Sequence, residues 1–151
     1  MRNFQRTIKN NGTISGTGLH TGKKATIHFL PAQINHGIKF QRTDLKNLPI
    51  INADVDNVIE VERGTTLSQN NAKISTVEHL LAAIVGLQID NLLIQIDGEE
   101  IPILDGSSIE FVKCLESCKF KDQDAARNYI EISDKILYKD EKNNVEIAAY
   151  P

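Results

Sequence analysis

Ile74-Ser75-Thr76-Val77-Glu78-His79-Leu80-Leu81-Ala82-Ala83-Ile84-Val85-Gly86 reads as an amphipathic helix with its own start and stop signals. Ser75 is a good N-cap, and Glu78 three residues later completes a capping box. Gly86 fits the position just past the helix end, and Leu87 the apolar contact that follows it. At about 100° per residue, Val77, Leu80, Leu81, Ile84 and Gln88 project to one side, which is therefore expected to face a core. His79, Ala82, Ala83 and Gly86 project to the other. A solvent face normally carries Lys and Glu. Small residues there predict a close partner, with His79 in the seam and Glu78 beside it at the positive end of the helix dipole.

The Glu78-His79 pair has two readings. In one, Glu78 is a capping carboxylate and His79 a partly buried helix histidine. In the other, His79 is a metal ligand and Glu78 a general base for activating water. The spacing is not H-E-x-x-H, which would put a second ligand on the same helix face.

The chain has 151 residues, 40% hydrophobic and 25% charged, with a formal net charge of −3. That is the composition of a soluble globular protein, and it gives no electrostatic case for nucleic acid. Met1 to Arg6 has no apolar signal region. The longest apolar run, Leu80 to Val85, is far too short to span a membrane, so a cytoplasmic location is expected. Cys114 and Cys118 fall at i, i+4 on the stripe of Phe111 and Leu115, and are expected to be buried reduced thiols.

Working outward, Phe4–Lys9 and Thr13–Ser15 read as short strands around an Asn10-Asn11-Gly12 turn. Gly16 to Lys23 tempts a phosphate-loop reading but fails the spacing of either glycine motif, so it reads as a glycine-rich connection from which His20 can face a site. Residues 25–29 and 38–41 alternate as half-buried strands. Thr65–Ser68 and Ala72–Ile74 read as a hairpin around Gln69-Asn70-Asn71. Asn91–Ile96 reads as a central strand buried on both faces, and Ile101–Leu104 as an edge strand. Ser107 and Glu110 form a second capping box ahead of a helix from Ser108 to about Cys118. Lys119 to Asn128 is polar and reads as a linker. Tyr129–Ser133, Ile136–Lys139 and Val145–Ala149 read as further strands, so a new unit begins at 129. The fold class is α+β: a two-layer sandwich with a mixed or antiparallel sheet and two helices on one face. Nothing in residues 1–128 is left to cover the outer side of the Glu78 helix.

Three motifs occur in order: Gly16-Thr17-Gly18-Leu19-His20-Thr21-Gly22, then Ser75-Thr76-Val77-Glu78-His79-Leu80, then Ile101-Pro102-Ile103-Leu104-Asp105-Gly106-Ser107. Together they closely resemble the UDP-3-O-acyl-N-acetylglucosamine deacetylase family, the zinc amidases of lipid A biosynthesis. The resemblance implies two domains of similar α+β topology, of the ribosomal S5 domain 2-like type, packed through their helical layers around the active site. It implies that His79 is a zinc ligand and Glu78 the general base. It implies that Glu62, Arg63, Gly64 and Thr65 border a site for a UDP-sugar acyl substrate. His20 and Asp105 lie in shared motifs, as supports for the site or for the fold. In some bacteria the family's enzyme is fused to a dehydratase of fatty-acid synthesis.

The resemblance also implies two further zinc ligands in an H-K-x-x-D stretch of the second domain, and residues 1–151 contain no such stretch. The chain is therefore expected to be the first deacetylase domain, residues 1–128, plus opening strands of a second, residues 129–151. Alone it is expected to be inactive and to self-associate through the open helix face. The competing reading is a non-catalytic α+β module for binding or dimerisation, since fold does not fix function.

Overall fold

A computed structural model describes residues 3–151 of the chain. The strands are β1 (Phe4–Ile8), β2 (Gly12–Thr17), β3 (Lys24–Pro31), β4 (Ile38–Arg42), β5 (Ile50–Asn52), β6 (Val58–Glu60), β7 (Thr66–Gln69), β8 (Ala72–Ile74), β9 (Leu92–Ile96), β10 (Phe120–Ala126), β11 (Ile136–Asp140) and β12 (Val145–Ala149). The helices are α1 (Glu78–Gly86) and α2 (Ile109–Ser117), with a short 3-10 turn at Val55–Asn57.

The main sheet runs β2-β3-β9-β4-β5, with β4 and β9 parallel and the other neighbours antiparallel. A parallel pair needs a crossover connection, and here the crossover contains the β6-β7-β8 sheet and α1. Register puts the large apolar residues on one face: Ile27 pairs with Ile14 and Ile96, and Phe40 with Ile94 and Ile51. Ile27, Phe29, Phe40, Ile51, Leu92, Ile94 and Ile96 are all fully buried. They share one core with Val77, Leu80, Ala83 and Ile84 around α1, and with Phe111, Leu115 and Cys118 around α2. The opposite face is polar, with hydrogen bonds between Ser15 and Thr26, Thr13 and His28, and Gln95 and Gln41. The architecture is thus the expected α+β sandwich with both helices packed into one core.

Several local expectations are corrected. Residues 119–128 are not a linker: β10 pairs antiparallel with β1. Its ladder needs only backbone groups, and its one-sided burial is supplied by polar side chains. The Gln123 amide donates to Ala32 O and accepts from Asn91, and the Arg6 guanidinium lies 4.7 Å over the Phe120 ring. That pairing also removes the β1–β2 hairpin, since β2 pairs with β3 instead. Neither capping box forms. Thr76 is left-handed (φ 59°), so Ser75 stays extended and donates its hydroxyl to Glu99 O, and the turn before Glu78 is made by Val77. Ser107 donates to Asp105 and accepts from Ile109 N–H, while Glu110 bonds to Lys113.

Ala83 is 1% exposed and joins the core, so the open side of α1 is Ala82, Val85 and Gly86, with Val85 73% exposed. β9 is central, but its burial alternates: Leu93 and Gln95 are only half-buried because that face meets polar neighbours. Residues 101–104 form no strand. Ile101 N–H reaches Ser75 O and Ile103 N–H reaches Thr17 O, and Pro102 has no N–H to continue a ladder. Residues 129–133 form no strand either, whereas β11 and β12 make the expected hairpin. The Asn70-Asn71 turn between β7 and β8 has both residues left-handed (φ 54° and 59°), as a tight hairpin requires. Cys114 and Cys118 are free thiols, half-buried and buried, and burial pushes both above the usual thiol range.

Candidate active site

The first turn of α1 carries Glu78 and His79, both half-buried. Glu78 turns away from its own helix: its Oε2 accepts the Thr65 N–H at 3.0 Å, from the loop between β6 and β7. Arg63 takes a left-handed conformation (φ 61°) that bends this loop back, and its carbonyl meets His20 Nε2 at 3.0 Å. A carbonyl only accepts, so Nε2 carries the proton in this bond. The point where a Gly64 side chain would begin lies 3.5 Å from Glu78 Oε1, 3.7 Å from Thr76 Oγ1 and 3.8 Å from His20 Nε2. Three polar atoms from two distant stretches, the His20 loop and the turn into α1, thus converge on bare Gly64. A groove of about 340 Å³ runs beside them, lined by His20, Glu62, Arg63, Gly64, Lys73 and Thr76 among others.

One residue central to this arrangement was missed by sequence reasoning. Glu100 is 2% exposed and pairs with no basic side chain among the described residues. Its Oε1 accepts from His20 N–H at 2.8 Å and Thr76 Oγ1 at 3.3 Å. Its Oε2 accepts from Thr21 N–H at 2.8 Å and Thr21 Oγ1 at 2.6 Å. The loop that tempted a phosphate reading is therefore an anion cradle of successive N–H groups, and the anion is the chain's own carboxylate. The fit leaves no space at Gly18, where a Cβ would collide with the Glu100 carboxylate and with Thr21 Oγ1. The signal in the sequence was an acidic residue abutting the apolar Ile101-Pro102-Ile103, where a free charge is costly.

Burial by itself raises the Glu100 carboxyl, but hydrogen bonds from His20 N–H, Thr21 and Thr76 outweigh it and hold the group below the ordinary glutamate value. A depressed carboxylate contributes stability that is full above its unfolded pKa, about 4.3 for Glu, and is lost as pH falls through the lower folded value. Wild type is thus expected to melt well above Glu100→Gln at neutral pH, with the gap closing on acidification below about pH 4.3. Thermal melts of both proteins across pH 2.5–7 (roughly the span over which such a group titrates) check this. A pH-independent gap would contradict the charged role.

Comparison with known proteins bears on what this arrangement serves. The sequence profile of the family described as "LpxC: UDP-3-O-acyl N-acetylglycosamine deacetylase" matches residues 5–151. The chain belongs to the UDP-3-O-acyl N-acetylglycosamine deacetylase family. Among its relatives, the "Bifunctional enzyme LpxC/FabZ" of Bacteroides thetaiotaomicron is 47% identical over 147 residues, covering 97% of this chain and 32% of the relative. The UDP-3-O-acyl-N-acetylglucosamine deacetylase of Teredinibacter turnerae is 41% identical, covering 97% of this chain and 48% of the relative. That of Shewanella woodyi is 45% identical over 138 residues, covering 91% of this chain and 45% of the relative. The chain thus spans from a third to just under half the length of these deacetylase-family proteins.

Within this family member, the residues singled out from sequence divide clearly. Glu78, His20 and the Arg63-Gly64-Thr65 loop are brought together by the contacts above, and exposed Glu62 stands on the same groove. Asp105 is not joined to them by any contact among the described residues. Its Oδ1 accepts the Ser107 N–H at 2.9 Å and the Ser107 hydroxyl at 2.9 Å, so it shapes the turn ahead of α2. The His79 ring makes no hydrogen bond among the described residues. No cluster of three metal-ligating side chains exists among them either. The donor set therefore fits a zinc ion in part: a half-open imidazole beside a restrained carboxylate offers one ligand and one proton acceptor, short of the three ligands a catalytic zinc takes.

Proposed function

We propose that this chain forms one wall of a zinc-dependent amidase that removes the N-acetyl group of a UDP-3-O-acyl-N-acetylglucosamine in lipid A biosynthesis. The observation that carries this is the convergence of Glu78 Oε1, Thr76 Oγ1 and His20 Nε2 on Gly64, beside a His79 ring with no hydrogen-bond partner among the described residues, in a member of this family. Zinc, when bound, polarises the acetamide carbonyl and acidifies water. Residue by residue, His79 supplies one ring nitrogen to the metal. The remaining ligands lie in the part of the family's length that this chain does not span. Thr65 N–H occupies Oε2 of Glu78, which leaves Oε1 to take a proton from the attacking water and return it to the departing amine. Glu62 and Arg63, exposed at the groove rim, contact the nucleotide sugar, and Gly64 leaves room for it.

Residues 1–128 are the first domain, 129–151 open the second, and the full protein works in the cytoplasm. No helix among the described residues is long and apolar enough to cross a membrane. The Ala82-Val85-Gly86 side of α1 faces the partner domain, and residues 1–151 alone self-associate through it.

The test compares the full-length protein with residues 1–151, measuring deacetylation of the acylated UDP-sugar, metal content and sedimentation at several concentrations. The full-length protein is expected to lose activity on chelation and regain it with zinc. Residues 1–151 are expected to be inactive and to sediment as more than a monomer. Turnover by residues 1–151, or chelator-insensitive turnover by the full protein, would overturn the reading.

A further inference from the structure

We propose that Glu100 is a positioning residue for the reactive carboxylate, holding Glu78 in place through the His20 loop and through Thr76. The proposal rests on the reading of Glu78 as the base. Two routes connect the two carboxylates. On the first, Glu100 fixes the backbone of His20 and Thr21, the His20 ring donates to Arg63 O, and two residues on Thr65 N–H holds Glu78 Oε2.

On the second, Glu100 Oε1 accepts the Thr76 hydroxyl, two residues ahead of Glu78. Thr76 is a β-branched residue in the left-handed region (φ 59°), a conformation that persists only where surrounding contacts enforce it. That conformation turns the chain from β8 into α1 and so sets where Glu78 emerges.

A packing role alone would not call for a buried charge. An uncompensated carboxylate in this position is costly, and the chain offsets it with four donors and a glycine at position 18 that no other residue can replace without a clash. Each carboxylate oxygen receives a backbone N–H, His20 on Oε1 and Thr21 on Oε2, so an amide at position 100 would turn its own N–H toward one of them. The result would be a loosened His20 loop and a displaced Glu78 with the side-chain volume unchanged. Displacement of a reacting group by about 1 Å is enough to cost two orders of magnitude in rate.

The experiment uses the full-length protein with zinc bound. Glu100→Gln is expected to lower kcat by about 10-fold or more with metal content unchanged. In a Glu78→Gln background the same change should cost less than about 3-fold, because groups that act as one unit are not additive. Thr21→Ala removes the hydroxyl that donates to Glu100 and accepts from Lys23 N–H, together with the γ-methyl, and should lower kcat in the same direction; Thr21→Ser keeps the hydroxyl and should restore it. That pair decides the matter if Glu100→Gln fails to fold.

Wild-type kcat in both Glu100→Gln and Thr21→Ala would overturn the proposal. So would a full-sized Glu100→Gln loss in the Glu78→Gln background, or a Thr21→Ser variant no better than Thr21→Ala. Failure of the underlying reading is distinguishable: it shows as wild-type turnover in Glu78→Gln alone.

Discussion

Glu78→Gln in the full-length protein is expected to lower kcat by about 10²- to 10⁴-fold, the range for losing a positioned acid-base group, with metal content and melting temperature unchanged. Gln keeps the length of the side chain and an oxygen to accept the Thr65 N–H, so the loop from 62 to 65 stays anchored. It removes only the ability to take and return a proton. Glu78→Ala is the less informative change. It also frees Thr65 N–H, at a cost of about 0.5–1.5 kcal/mol, and so mixes loop disorder with lost chemistry. The structure places that cost in the 62–65 loop and not at an N-cap, because Val77 occupies that position without any side-chain bond. Steady-state kinetics with metal analysis on the same preparation checks the prediction, and near-wild-type turnover would remove the base role.

His79→Ala is expected to strip the metal and abolish activity together. Partners that merely support a ligand cost about 10- to 100-fold in metal affinity, so loss of a ligand itself should exceed the upper end of that range. The fold should be indifferent. The ring is half-exposed and engages no hydrogen-bond partner among the described residues, and Ala is a better helix former than His. Metal analysis after dialysis, with a thermal melt in the presence of chelator, separates the two effects. Unchanged metal stoichiometry would return His79 to an ordinary surface-seam histidine.

The sequence reads well where side-chain period and burial coincide. Ile27 and Phe29, Ile38 and Phe40, and Leu92, Ile94 and Ile96 alternate because one sheet face meets the helices and the other meets polar neighbours, and that alternation survives in the structure. The Asn70-Asn71 turn is legible because two left-handed residues are needed and Asn tolerates that conformation. β10 was hidden for the opposite reason. Phe120 to Ala126 buries Gln123 through its amide and not through apolar surface, so composition made a strand look like a connection.

The candidate site was legible as a set of residues and not in its support. Glu78 and His79 stand out as a pair, and the family resemblance adds the 62–65 loop. What local pattern could not show is which long-range partner each side chain chooses. The Ser75–Glu78 spacing matches a capping box, yet Ser75 bonds to Glu99 and Glu78 to Thr65 because Thr76 bends the backbone between them. Glu100 sits 80 residues from the His20 amide that it accepts, and no window of sequence holds both.

The most direct test of the account is anomalous diffraction at the zinc edge from crystals of the full-length protein. A single strong peak is expected about 2.0–2.1 Å from one ring nitrogen of His79, with Glu78 facing it but outside direct coordination. A peak absent from His79, or one coordinated by the Glu78 carboxylate in its place, would contradict it.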